Sequence, residues 1–279
     1  DNGGDILKVQ DSLASVPANW SLAHTCGTSS HGNGLITDHS SSQRLLYIQD
    51  EYVGSYDGTV WYDTFMDLGW SLNILKSPDI YEDWVVIPNG STVALLNITD
   101  DSKNYDAFNF PANFQCIVAR SGLNGVLLGA NFNERGVLVL WDCISDRSIA
   151  HWIWLTGKVY GIAKYGGIWI VSAGREYHLT NGYTILKSYS PPDLVDSTAN
   201  FGPIIPAGMR VDGDKLLIAS QVGLSNRNKA GLWILDLITG LWEYCPSSHR
   251  TISTNGYMGA IFINKNNNRF ISYQQLFTS

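Results

Sequence analysis

The chain has 279 residues, 15% of them charged, with 27 Gly and only 9 Pro. Average globular chains carry about 25% charged residues, so a highly charged helical bundle or a disordered tail is excluded. Its 10 Trp and 14 Tyr favour pleated, half-buried surfaces and predict an all-β protein, while a net charge of -7 excludes the global cationic field that nucleic-acid or anionic-membrane binding needs.

The opening Asp1-Asn-Gly-Gly is not the basic-then-apolar start of a secretory signal and reads as a processed end or a piece of a longer chain. Residues 6–10 and 20–25 then read as two orphan strands. From there a four-strand grammar repeats, each unit a meander of strands a to d. The first unit is 34–37, 44–49, 52–55 and 59–63; the second is 71–76, 84–88, 92–98 and 105–110. The third is 116–120, 125–131, 136–142 and 148–155. The fourth, 159–165, 168–173, 176–179 and 183–189, is the clearest, because Gly166-Gly167 and Asn181-Gly182 supply the positive φ that tight hairpins require. The fifth is 208–211, 216–222, 231–237 and 241–245. Strands 257–263 and 269–274 close the chain as an a and a b without partners. The most apolar region, 149–171, is broken by Thr156, Gly157, Lys158, Lys164, Gly166 and Gly167, so no membrane span is predicted.

The aromatics near the starts of the d strands, Trp20, Trp61, Tyr105, Trp152, Tyr183 and Trp242, lie 41, 44, 47, 31 and 59 residues apart. A propeller blade takes roughly 40 to 50 residues. Longer connections at 190–206 and 223–230 account for the uneven spacing. A single sheet cannot hide both its apolar faces alone, whereas radial stacking buries them. The expected architecture is therefore one six-bladed β-propeller of four-stranded antiparallel blades, approximately 29–69, 70–113, 114–157, 158–201, 202–249, and 250–279 joined with 1–28. The N-terminal strands complete the C-terminal blade. The regular spacing of the aromatic column predicts packing between blades rather than sugar or base stacking.

The residues at or beside the end of strand a in successive blades are Asp38, Lys76, Arg120, Lys164, Arg210 and Asn264. Four are cationic in a chain with only 18 Lys plus Arg, and equivalent blade positions lie at equal radius. They predict a ring near the central channel that meets an acidic partner surface or an anion. Nucleophile elbows, Walker loops, dinucleotide fingerprints and helical zinc pairs are absent, and the six His residues are scattered, so neither a metal nor a cofactor is expected. Cys26, Cys116, Cys143 and Cys245 show no close pairing and read as free thiols. Sequons at Asn19, Asn89 and Asn97 match what an Asn-rich composition supplies by chance.

Ser55-Tyr-Asp57-Gly58-Thr-Val-Trp61 resembles the Asp-box turn of sialidase-type propellers, one residue short, and it falls at a c-to-d corner. The likeness implies a turn in which Asp57 accepts backbone hydrogen bonds and Gly58 takes the positive φ. The stretches 166–183, 208–217 and Leu232-Trp-Ile-Leu-Asp-Leu-Ile-Thr-Gly-Leu-Trp242 resemble propeller modules in structural proteins of tailed-phage virions, and the last also resembles Trp-Asp repeats. That resemblance implies a non-enzymatic component of a virion, with protein partners in a larger assembly and no catalytic residues. The alternative is a carbohydrate-binding propeller or an Asp-box glycosidase, for which Arg44, Arg120, Arg175 and Arg210 are the arginines available.

Overall fold

Side chains along a strand alternate between its two faces, and here that alternation divides single strands between two separate cores. In the strand Gly125–Phe132, Val126 and Leu128 enter one apolar cluster while Leu127 enters another. Its neighbour Arg135–Trp141 sends Val137, Val139 and Trp141 to the first and Leu138 and Leu140 to the second. Such a sheet is buried on both faces and must lie between two others.

The computed structural model describes residues 5–8, 21–25, 32–37, 44–49, 51–69, 77–145, 150–192, 201–203, 206–220, 231–246, 256–263 and 269–275. It contains five four-stranded antiparallel sheets in simple meander order. Before them comes a two-stranded ladder of β1 (Asp5–Lys8) and β2 (Ser21–Thr25). The first sheet holds β3 (Gly32–Thr37), β4 (Leu45–Gln49), β5 (Tyr52–Tyr56) and β6 (Trp61–Asp67). The second holds β7 (Asp79–Tyr81), β8 (Trp84–Asn89), β9 (Thr92–Asn97) and β10 (Lys103–Asn109). The third holds β11 (Phe114–Gly122), β12 (Gly125–Phe132), β13 (Arg135–Trp141) and β14 (Ala150–Trp154). The fourth holds β15 (Val159–Tyr165), β16 (Ile168–Ala173), β17 (Glu176–Thr180) and β18 (Ile185–Tyr189). After a 3-10 turn at Pro206–Gly208, the fifth holds β19 (Met209–Asp212), β20 (Lys215–Ser220), β21 (Gly231–Asp236) and β22 (Trp242–Pro246). A second two-stranded ladder, β23 (Gly256–Ile263) with β24 (Arg269–Gln275), ends the chain. No helix among the described residues is long and apolar enough to cross a membrane.

Consecutive sheets share one core each. Leu46, Val53 and Met66 meet Val85, Ile87, Ala94 and Leu96 between the first and second. Val86, Val93 and Leu95 meet Ala119, Val126, Leu128 and Trp141 between the second and third. Val118, Leu127 and Leu138 meet Ile162, Trp169 and Val171 between the third and fourth. Ile170 and Tyr177 meet Met209, Leu216, Ile218 and Trp233 between the fourth and fifth. The middle strands are therefore almost wholly buried, whereas outer strands such as β14 expose every other side chain or so. The first strands of neighbouring sheets touch, β7 with β11, β11 with β15, β15 with β19 and β19 with β23, which places them innermost.

Strand positions follow the expected grammar in all five sheets, with two corrections. The inner strand of the second sheet is Asp79–Tyr81, not 71–76, and residues 70–76 lie outside the described part. Its backbone is stitched to the third sheet instead: Ser77 N–H donates to Ile117 O, and Ala119 N–H donates to Ser77 O, each at 2.9 Å. Tyr183 is not the first residue of a d strand either. It sits in the corner before β18 and is half exposed.

Candidate binding site at the inner strand ends

Hairpin register fixes which inner-strand residues are equivalent. Arg120 pairs with Leu127, Arg210 with Leu217 and Asp79 with Val86, each the third pair from its a-to-b turn. Lys164 pairs with Trp169, only the second pair from its turn, so it is offset by one residue from the two arginines. Asp79 is therefore the true counterpart of Arg120 in the preceding sheet. Asp38, Lys76 and Asn264 lie outside the described residues, Asp38 directly after β3 and Asn264 directly after β23.

The structure brings Asp79, Arg120, Ser121 and Lys164 together. One Asp79 oxygen accepts from the Ser121 amide at 2.8 Å and the Ser121 hydroxyl at 2.9 Å, and lies 2.8 Å from the Lys164 ammonium. Lys164 also donates to the Ser121 hydroxyl at 2.5 Å. Arg120 turns inward: Nη1 donates to Ala119 O at 2.7 Å and to Pro78 O and Ser77 O at 3.3 and 3.4 Å, while Nη2 donates to the Ser77 hydroxyl at 2.7 Å. Its own carbonyl accepts from the Trp169 indole, whose ring occupies the space a Cβ on Gly122 would need. Arg120 is thus an internal brace between the second and third sheets. It is not the free docking cation expected.

Burial pushes the Asp79 carboxyl up, but Arg120 and Lys164 beside it, together with the hydrogen bonds from Lys164 and the Ser121 amide, hold it below the usual carboxylate range. Burial lowers the Arg120 pKa, Asp79 opposes that, and the nearby positive charge of Arg210 adds to the lowering. Two cations therefore meet one carboxylate, and Arg210 adds a third positive charge beside Arg120. Lys164 is half exposed and Arg210 is exposed, so these two present charge to solvent at the inner mouth.

The same end of each sheet carries the c-to-d corners, and all five are built alike. Asp57 Oδ1 accepts from the amides of Thr59 and Val60, both at 2.8 Å, with Gly58 at φ 97°. Asn97 does the same for Thr99 and Asp100, Asp142 for Ile144 and Ser145, Asn181 for Tyr183 and Thr184, and Asp236 for Ile238 and Thr239. The sequence shows one Asp-box-like copy because only the first residue is shared. Any Asp or Asn there presents the required oxygen.

The tryptophans pack rather than present faces to a ligand. Trp61 lies between His24 of β2 and Tyr56, with ring centroids 4.2 and 4.1 Å away, so both its faces are covered. Trp152 packs among Phe108, Phe110 and Phe114, and Trp242 among Tyr177, Phe201 and Trp233. Trp20 lies outside the described residues. A cluster not foreseen accompanies Trp61: Asp63 lies 2.7 Å from His24 Nε2 and accepts from the Tyr47 hydroxyl at 2.5 Å. The signal for it was weak, because nothing in the sequence spacing joins His24 to Asp63. Cys116 and Cys143 are buried thiols outside any disulfide, Asn89 is buried and donates to Leu68 O, and Asn97 is used in its corner. Among the described residues no group of three or more His, Cys, Asp or Glu side chains could hold a metal ion.

No family model and no curated protein matches the sequence. Solved structures do. Virginiamycin B lyase from Staphylococcus aureus is similar at 12% identity and TM-score 0.66, covering 98% of this chain and 92% of that one. The nidogen/laminin complex contains a chain similar at 9% identity and TM-score 0.58, covering 89% and 92%. The extracellular domain of BT4673 from B. thetaiotaomicron is similar at 13% identity and TM-score 0.61; this chain is covered over 88% of its length but spans only 30% of that protein. The fold is that of a β-propeller. Its blades are the four-stranded sheets, their first strands lie innermost, and the Asp79 cluster lies near the a-to-b end of those strands.

Proposed function

We infer that this propeller is a non-enzymatic docking disc that takes a carboxylate of a protein partner at the channel mouth. One observation carries the reading: Lys164 and Arg120 meet the single carboxylate of Asp79, and the exposed Arg210 on the next inner strand adds its charge beside Arg120. Converging charges of one sign raise the local potential, and a low-dielectric wall strengthens it. The cluster is ill suited to acid–base chemistry, since the Lys164 ammonium is ion-paired with Asp79 and the Ser121 hydroxyl is held by both.

The ring closes with a sixth blade, formed by β23 and β24 together with β1 and β2. Two contacts support this. β23 packs against β19 and β20 of the fifth blade, and His24 of β2 stacks on Trp61 of the first, as a blade shared by the two ladders requires. Placement in a phage tail or other virion rests on the sequence resemblance alone.

The test is binding of a fluorescent loop peptide with Glu at its tip, compared with the same peptide carrying Gln, at low and physiological ionic strength. The Glu peptide binds more tightly, added salt weakens it, and the double variant Lys164→Gln, Arg210→Gln loses most of the salt dependence. Equal binding of the two peptides overturns the reading.

A further inference from the structure

We propose that the mouth and corners of the third, fourth and fifth blades form one zoned docking surface for a partner loop that carries a carboxylate at its tip, aliphatic side chains beside it and basic residues outside. This rests on the carboxylate-docking reading and adds the partner's flanking chemistry.

The zones follow from strand order. At the innermost radius the inner strands carry Lys164 one residue, and Arg210 two residues, before their ends. Around them, large apolar side chains face solvent: Leu123 in an a-to-b turn is 78% exposed, and at the outer corners Ile238 is 65%, Leu241 71% and Tyr183 50% exposed. Soluble proteins scatter such residues singly, and several gathered on one end of adjoining elements mark a contact surface. These elements do adjoin. Leu123 of the third blade lies against Gly167 of the fourth, the Tyr165 hydroxyl of the fourth donates to Asp214 of the fifth at 2.8 Å, and the Tyr189 hydroxyl reaches Leu237 O at 2.5 Å.

The corner architecture explains why apolar residues stand outward. The Asp or Asn oxygen fixes the amides two and three positions on, and in the third, fourth and fifth blades the residue two positions on is Ile144, Tyr183 and Ile238. Its backbone is tied down while its side chain stays exposed, the Tyr183 ring resting beside that of His151. Asp142 and Asp236 give the outer zone its negative sign; hydrogen bonds to the corners hold both carboxyls below the usual range, so they are ionised at neutral pH. A uniformly acidic partner is repelled at that radius. A loop whose only acid is at its tip, with Lys outside, matches every zone.

The experiment uses the whole chain and three loop peptides with Lys at both ends: Glu tip with Leu flanks, Glu tip with Ser flanks, and Gln tip with Leu flanks. Replacing both Leu flanks by Ser removes the apolar surface that docking buries and weakens binding by at least about tenfold. The double variant Leu123→Ser, Ile238→Ser reproduces that loss for the Leu-flanked peptide and leaves the Ser-flanked peptide unaffected. Equal affinity for Leu and Ser flanks, with the Glu tip still preferred over Gln, overturns the zoned surface and leaves the carboxylate reading standing. Indifference to the tip overturns both. Concentration-dependent self-association in sedimentation, lost in the double variant, makes a second copy of the chain the occupant and also overturns the proposal.

Discussion

The carboxylate of Asp79 in the second blade lies 2.8 Å from the ammonium of Lys164 in the fourth, with Ser121 of the third bonded to both. Three successive blades are tied at one point on their innermost strands. The two partners differ in burial, so their removal has unequal consequences.

Asp79→Asn leaves the braced Arg120 without its counter-charge. Breaking such a pair from the more buried side costs on the order of 3 kcal/mol, whereas Lys164→Gln, at a half-exposed position, costs under about 1 kcal/mol. Urea unfolding of both variants measures the difference. The folded-state pKa of Asp79 is depressed, so its contribution is full above the ordinary aspartate pKa and is lost as pH falls through the lower folded value. The stability gap between the natural chain and Asp79→Asn therefore narrows in acid.

The corners titrate in the same direction. The amides of Val60 and Thr59 hold the Asp57 carboxyl below its usual range, and protonation weakens their bonds to it. Protection of the Thr59 and Val60 amides against exchange, compared with the Asn97 corner as an uncharged control, falls selectively as pH drops through the depressed pKa. Asp57→Asn abolishes that selectivity. Asn181→Ala removes both corner bonds and costs about 1 kcal/mol, read by the same unfolding assay.

Gly54 faces the ring of Tyr47, and a Cβ there would stand 2.1 Å from it. Tyr47 is 2% exposed and anchored to Asp63, so its ring has little room to retreat. Gly54→Ala costs on the order of 1 to 3 kcal/mol. Tyr47→Phe, which keeps the ring and loses only the hydroxyl bond, separates packing from hydrogen bonding.

Burial pushes the Cys116 thiol far up, and a thiolate is the reactive form. Neither Cys116 nor Cys143 reacts with a disulfide reagent in the native protein, and both do so in denaturant. Peptide mapping after labelling reads each site separately. By the same logic of burial, Asn89 stays unglycosylated when the chain is made in a glycosylating host.

The blades were legible because period-two alternation and Gly-rich hairpins are local signals. Gly166-Gly167 marked its turn directly. The second blade misled because its a-to-b turn is Glu82-Asp83, with Glu82 at φ 51°, a conformation usually left to glycine. With no Gly to mark the hairpin, the inner strand was placed too early and Lys76 stood where Asp79 belongs. The cation ring was legible as composition at repeated positions, but the one-residue offset of Lys164 and the inward turn of Arg120 depend on register and on carbonyls contributed by another blade. The His24, Tyr47 and Asp63 cluster joins residues up to 39 apart across two sheets, which no local pattern encodes.

One glycine pair governs the geometry around the third and fourth blades. A Cβ on Gly157 would come within 2.4 Å of the Gly174 backbone, so the two chains touch main chain to main chain. Even one added methyl group would pry the link leaving the third blade off the b-to-c turn of the fourth, where Gly174 N–H donates to Lys158 O at 2.8 Å, so this seam has no room for any side chain.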